Sequence, residues 1–293
     1  MIRLFENRSS RRKRLSSVRC VFCDLDGTLL TNQNEIHPAV TEHAQALRRR
    51  GIRLILASGR TDGFTRQYAR VLDPDAPVIS LNGSLVRRVD GTVLDQHPLP
   101  SSVFKVMEQL QHTVEGASLS WTLFTAEGTM SLDEVPVLPR YLRAREEEIH
   151  RVQSLQPYAE HAVALCAGGP YRSIQKLSVT LARKYGPRLQ RVTYQSGSGT
   201  DRYYIEVRLR HVTKATGVRA VLSELHLNRK QSASIGDYTN DLEMCKFTGV
   251  SAAMRNGNDA IRAEADFIMQ KNNDEGGAAE FFRMILRRDP RTR

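Results

Sequence analysis

Two aspartates one residue apart, Asp24 and Asp26, end an apolar run and precede Gly27 in the stretch VFCDLDGTLL, residues 21–30. Three more polar clusters also come directly after apolar runs. Ser58-Gly59-Arg60 follow LILA, Gly236-Asp237-Tyr238-Thr239-Asn240-Asp241 follow SASI, and Lys214 opens a helix-like run after Val212-Thr213. Each has a plain explanation by itself. Asp-x-Asp-Gly is a common turn, and Ser58, Asp237, Thr239 and Asn240 all suit helix N-caps. A calcium loop counted from Asp24 finds Asp26, Thr28 and Glu35 at its third, fifth and twelfth positions. It fails because Leu29 stands where the sharp turn needs glycine, and no helix precedes it. Lys214 is harder to explain away. A cation opposes the positive end of a helix dipole, whereas a bound anion would suit both the dipole and the lysine.

Taken together, the four clusters meet one chemical demand. A phosphate monoester is a dianion with a very high uncatalysed barrier to hydrolysis. Carboxylates approach it only if charge is neutralised, and a magnesium ion held by oxygen ligands supplies that neutralisation. Asp24 and Asp237 could provide the carboxylates. Lys214, the Ser58 hydroxyl and the Gly59 amide would cover the remaining phosphoryl oxygens. One carboxylate must attack phosphorus and another must protonate the leaving oxygen. Residues two apart in an extended segment share a side, which suits Asp24 and Asp26.

The elements that must position these groups alternate between strand and helix. Val21–Cys23 reads as a short strand, and residues 38–50 as a helix with Pro38 in its first turn, basic residues in its last and Gly51 as its stop. Ile52–Ala57, a helix opened by Thr61 or Asp62, and Pro77–Leu81 continue the pattern. Asp90-Gly91 then marks a hairpin within residues 85–94. Next come a helix over 102–114, a strand over 117–125, a helix over 139–152, strands over 173–181, 191–195 and 203–209, and a loop at 196–199. The strand–helix rhythm returns from 213 to 286. This predicts an α/β protein with a Rossmann-like parallel-sheet core, residues 19–84 and 208–293, split by an inserted α+β domain at 85–207.

Composition limits the alternatives. The chain has 293 residues, 40% of them hydrophobic, and no apolar run long enough for a membrane helix. Its four cysteines do not make a disulfide framework; Cys20-x-x-Cys23 lacks further zinc ligands, and all four read as reduced packing residues of an intracellular protein. Residues 1–19 carry seven basic side chains against Glu6, more than half of the net charge of +11. Residues 1–18 read as a solvated basic tail. The alternatives are an electrostatic contact with nucleic acid or membrane, or an organelle-targeting segment. Ser10-Arg11-Arg12 has no apolar stretch behind it, which argues against export.

DLDGTL, ASGR, the lysine of VTKATGV and GDYTND, in that order, resemble the four motifs of the haloacid dehalogenase superfamily of aspartate-nucleophile phosphatases. The chain looks most like its Cof-type branch, with a large α/β cap inserted after the third core strand; SLNGS, SAAMRNGND and NNDEGGAA are similar to further landmarks of that branch. The likeness runs from about residue 19 to 290. It implies that Asp24 is the nucleophile, forming an aspartyl-phosphate, and that Asp26 is general acid and then general base. It implies magnesium bound by the carboxylates of Asp24 and Asp237 and the backbone carbonyl of Asp26. Ser58, Gly59, Lys214 and Asn240 would grip phosphate, Asp241 would orient Lys214 or the metal's water, and Arg60 and Asn82 would support the site. The cap would cover the substrate and select the leaving group. Tyr238 departs from the pattern, since relatives usually carry a small residue there. The expected activity is hydrolysis of a small phosphorylated metabolite in the cytoplasm, a sugar phosphate or a cofactor such as pyridoxal phosphate or FMN. A phosphomutase similar to phosphomannomutases and a nucleic-acid-binding protein using the basic tail are the alternatives.

Overall fold

The computed structural model describes residues 14–113, 118–133, 138, 149–196 and 201–287. Along the chain come β1 (Cys20–Cys23), α1 (Pro38–Arg49), β2 (Arg53–Ala57), α2 (Asp62–Leu72), β3 (Val78–Ser80), β4 (Leu85–Arg87) and β5 (Val93–Gln96). The middle of the chain supplies α3 (Ser102–Gln111), β6 (Ser120–Phe124), β7 (Thr129–Ser131), β8 (Ile149–Arg151), β9 (Ala164–Pro170), α4 (Tyr171–Tyr185), β10 (Leu189–Gln195) and β11 (Arg202–Leu209). The last stretch supplies α5 (Lys214–Glu224), β12 (Ser232–Gly236), α6 (Leu242–Phe247), β13 (Val250–Ala253), α7 (Asp259–Glu264), β14 (Phe267–Ile268) and α8 (Gly277–Leu286). These form two compact units. The first takes the chain up to Ser58, Thr65–Leu94 and the chain from Thr213; the second takes Gly59–Phe64 and Asp95–Val212.

The first unit is built on an eight-stranded sheet of order β14-β13-β12-β1-β2-β3-β4-β5. The six strands from β14 to β3 run parallel, and β4 turns back antiparallel to β3. Strand β1 lies near the middle and is buried along its whole length, which is why CVFC reads as an unbroken apolar run. Its Cys23 pairs with Ile235 of β12 on one side and Leu56 of β2 on the other. The residues next in the chain, Asp24, Gly236-Asp237 and Ala57-Ser58, therefore leave the sheet side by side at one edge. Helix α1 shows how local sequence fixes an element. Pro38 occupies its first turn, His37 Nδ1 accepts from the Ala39 amide at 3.1 Å, and Val40, Ala44 and Leu47 form its buried stripe.

The second unit holds a six-stranded sheet of order β10-β11-β9-β6-β7-β8, antiparallel except for β7 with β8. One apolar core joins Phe104 and Met107 of α3, Ile174, Leu177 and Leu181 of α4, and Trp121, Leu165, Ile205 and Val207 of the strands. Strand alternation puts Glu206 and Arg208 on the face opposite Ile205 and Val207. Both are buried and pair with each other at 3.5 Å.

The observed structure revises several expectations. Residues 173–181 are helical, within α4, because Ile174, Leu177, Leu181 and Tyr185 recur at helical spacing and share one buried face. The 85–94 hairpin, expected in the inserted domain, extends the sheet of the first unit instead. Arg87 and Arg88 go with it, bound to the Gly91 carbonyl and to Glu224. Strand β9 has no alternating pattern to announce it: ALCAGGP is small and apolar on both faces, and six of its seven residues are buried. Most of the helix expected at 139–152 lies outside the described residues, and its end, Ile149–Arg151, is strand. Residues 1–13 of the basic tail also lie outside them. Residues 14–18 pack onto the core: Leu15 and Val18 are buried, and Arg14 binds the Asp266 carboxylate at 2.8 Å and the Gly249 carbonyl at 2.7 Å. All four cysteines are free and buried. Among the described residues no helix is long and apolar enough to cross a membrane.

The turn after β3 is unusually tight. Leu81, Asn82 and Gly83 all have positive φ, and a Cβ on Gly83 would sit 2.1 Å from the Thr213 carbonyl oxygen. Only glycine lets this turn press against the start of α5. Gly83→Ala should therefore destabilise the protein by about 3 kcal/mol, combining the left-handed penalty with the backbone clash. Chemical denaturation compared with the parent measures this, and an unchanged midpoint contradicts it.

Candidate active site

Lys214 is the first residue of α5, its side chain is fully buried, and it is among the largest fully buried side chains of the chain. A buried ammonium must be paired. Its Nζ donates to Asp24 Oδ1 and, at 2.6 Å, to Asp241 Oδ1. Burial alone would push the lysine pKa down, but the two carboxylates outweigh it and hold the ammonium above the ordinary lysine range. The second Asp241 oxygen, Oδ2, accepts from the backbone amides of Asp237 and Tyr238, each at 3.1 Å. Asp241 thus joins the loop after β12 to the lysine at the start of α5.

Asp24, Asp237 and Asp241 present carboxylate oxygens within 4.8 Å of one another. Burial drives the Asp24 pKa well above the usual carboxylate range, reinforced by the Asp241 charge and opposed by Lys214. For Asp237, burial and then Asp241 raise the pKa to about 6, against a hydrogen bond from Thr28 Oγ1 to Asp237 Oδ1 at 2.9 Å. Three carboxylates against one ammonium leave a formal charge of −2, the complement of a divalent cation. Every donor is an oxygen, which suits a hard cation. Asp241 is already committed to Nζ and two amides, so Asp24 and Asp237 are the pair with most to offer an ion. Gly27 is pressed against Asp237. Its φ is +73°, and a Cβ there would lie 2.4 Å from Asp237 Oδ2.

The other expected site residues fall into two groups. Asp26, half-buried, stands two residues beyond Asp24 in a bridge with Leu30. Ser58 is buried at the end of β2, its amide bonded to the Ile79 carbonyl and its carbonyl accepting from the Asn82 amide, both at 2.9 Å. Asn82 in turn accepts at Oδ1 from Asn240 Nδ2 at 3.0 Å, which ties the loop after β3 to the loop after β12. Asp24, Asp26, Ser58, Asn82, Lys214, Asp237, Asn240 and Asp241 thus all belong to the first unit. Gly59 and Arg60 group with the second unit, where the Arg60 guanidinium lies 4.3 Å from the Phe64 ring centre. Tyr238 is 62% exposed, so its ring does not fill the buried cluster. Thr28, which the sequence offers only as the fifth position of the rejected calcium loop, is the residue whose hydroxyl donates to Asp237.

Residues 21–282 match the family model of the haloacid dehalogenase-like hydrolases. The chain belongs to that family. This haloacid dehalogenase-like hydrolase is an enzyme of the phosphatase kind. It is 25% identical over 281 residues to a putative phosphatase of Mycoplasma pneumoniae, covering 92% of this chain and 98% of the relative. It is 24% identical over 241 residues to an HMP-PP phosphatase of Escherichia fergusonii, covering 82% and 85%. Among solved structures, a haloacid dehalogenase-like hydrolase of Bacteroides thetaiotaomicron superposes with a TM-score of 0.74 at 24% identity, covering 92% of this chain and 99% of that one. A Thermotoga maritima protein superposes with a TM-score of 0.75 at 20% identity, covering 91% and 97%. Both structural likenesses show the same fold.

The raised Asp237 pKa has a sign that can be tested. With a chelator present, the stability tied to its proton is complete below about pH 4 and is lost as pH rises through about 6. Asp237→Asn, fixed in an uncharged form, should melt above the parent at pH 8, with the advantage shrinking as pH falls through about 6 and gone by about pH 4. A difference in melting temperature that stays constant across that range contradicts the assignment.

Proposed function

We propose that this hydrolase is a magnesium-dependent phosphatase that cleaves a small phosphorylated metabolite through an aspartyl-phosphate. The observation that carries the reading is the gathering of Asp24, Asp237, Asp241 and Lys214 at one edge of the parallel sheet, where open α/β sheets bind ligands. In this reading Asp24 and Asp237 hold the ion, with the Asp26 carbonyl as a further ligand. When bound, magnesium supplies charge neutralisation that lets an anionic ester meet an anionic carboxylate.

The chain's own groups then act in order. Lys214 donates to one oxygen of Asp24 and orients the carboxyl group while opposing the upward pull of burial on its pKa, with Asp241 fixing the lysine in turn. An Asp24 oxygen attacks phosphorus, the bond from phosphorus to the leaving oxygen breaks, and Asp26 gives that oxygen its proton. Asp26 then takes a proton from water, whose oxygen attacks the aspartyl-phosphate. Inorganic phosphate leaves and the Asp24 carboxylate is restored. Lys214, the Ser58 hydroxyl, the Gly59 amide and Asn240 carry the phosphoryl oxygens, and Arg60 and Asn82 support them. Asp26 as acid and base distinguishes phosphoryl transfer from dehalogenation, whose halide leaving group needs no proton. The substrate class proposed is a sugar phosphate or a phosphorylated cofactor. The name of the Escherichia fergusonii relative, an HMP-PP phosphatase, supports a small phosphorylated molecule.

Phosphate release should be screened across phosphorylated sugars and cofactors. With magnesium the parent should turn over at least one of them, and a chelator should stop it. Asp24→Asn should lower kcat/KM by at least about a thousandfold, the scale of losing a covalent nucleophile. Equal release by parent and variant would remove Asp24 from the role given to it.

A further inference from the structure

The segment that carries Asp26 is a coil leading into a small hairpin, and neither belongs to a sheet. The amides of Thr28, Leu29 and Leu30 all converge on the Leu25 carbonyl, at 3.3, 3.0 and 2.9 Å. Leu30 then bridges back to Asp26 and across to Ile36. A segment with so little regular pairing holds its shape only if something outside it does the holding.

Two loops from the last third of the chain reach this segment. Asn256, just after β13, donates through Nδ2 to the Gly27 carbonyl at 2.8 Å. Asn273, buried in the loop between β14 and α8, donates through Nδ2 to the Leu30 carbonyl at 3.0 Å and to Asn32 Oδ1 at 3.3 Å. Its neighbour Asp274 takes Asn32 in a two-pronged grip, accepting from the backbone amide at 2.8 Å and from Nδ2 at 2.6 Å. These bonds close on the carbonyl of the residue after Asp26, on its bridge partner and on the start of the hairpin. None of the three side chains takes part in the proposed chemical steps.

We propose that Asn256, Asn273 and Asp274 form a clamp that positions Asp26 for proton transfer to the leaving oxygen. The inference rests on the acid–base role given to Asp26. A positioned general acid is worth about 10²–10⁴ in rate, and an ångström of misplacement forfeits much of it. The loss falls on leaving groups that need the proton. An alkyl alcohol needs it, while p-nitrophenolate leaves nearly as well without it. The clamp is therefore legible in the contrast between two esters.

The test compares kcat/KM, which spans the steps up to phosphoryl transfer, on glycerol phosphate and p-nitrophenyl phosphate with magnesium. Asn273→Ala and Asp274→Ala should each lose about tenfold or more on the alkyl ester relative to the aryl ester, a fraction of the full general-acid contribution. Asp26→Asn should show the same contrast, larger. Asp274 is exposed, so its variant keeps the test open if Asn273→Ala does not fold. Equal losses on the two esters, or none, overturn the clamp while Asp26→Asn still shows the contrast. If Asp26→Asn itself slows both esters equally, the acid–base reading fails first and the clamp loses its purpose with it.

Discussion

The buried ammonium of Lys214 is the constraint on which the rest of the first unit depends. Leaving it unpaired inside the protein would cost several kcal/mol, so the fold must bring carboxylates to it. The carboxylates come from residues 190 and 27 positions away in sequence, Asp24 after β1 and Asp241 after β12. Satisfying one lysine therefore fixes the mutual placement of three elements. The two carboxylates are not well served by one ammonium either, particularly with Asp237 beside them. The site is electrostatically incomplete by construction, with three carboxylates gathered round one ammonium.

Several local features answer this demand. The side-by-side ending of β1, β2 and β12 is a matter of parallel register, which makes their carboxyl ends coincide. The left-handed turn at 81–83 brings Asn82 to Asn240 and Gly83 onto the start of α5. Leucine at positive φ is an unfavourable conformation, and here it stands at Leu81 beside the site. Asp241 has the most connected role: a single carboxylate receives the lysine on one oxygen and two amides on the other.

Much of this arrangement was legible in the sequence because the chemistry sits at strand ends. An apolar run that stops on a polar group is visible without any three-dimensional information, and it marked Asp24, Ser58 and Asp237. Lys214 was legible because a cation at a helix start is locally wrong and asks for an anion. Where local and global cues separated, the reading slipped. Residues 173–181 contain enough alternation to suggest strand, but Ile174, Leu177 and Leu181 need a helix to share a face. The 85–94 hairpin was recognisable as a hairpin, yet nothing in its residues says which sheet it joins, because that depends on partners elsewhere in the chain. The hold on residues 25–36 was invisible for a related reason. Asparagine side chains from residues 256 and 273 find backbone carbonyls over 200 positions away, and no spacing rule encodes such a bond.

Arg14 is one of the seven basic side chains of residues 1–19. It is a strut: its guanidinium spans the Gly249 carbonyl and the Asp266 carboxylate, and that same carboxylate receives the Ser251 amide. Leu15 and Val18 are buried directly behind it. Any cleavage or engineered start placed after Arg14 would strip a cap from the β13–β14 edge and leave the buried Asp266 carboxylate without this guanidinium partner. Fusion partners and processing sites belong upstream of this strut, where they leave the floor of the sheet sealed.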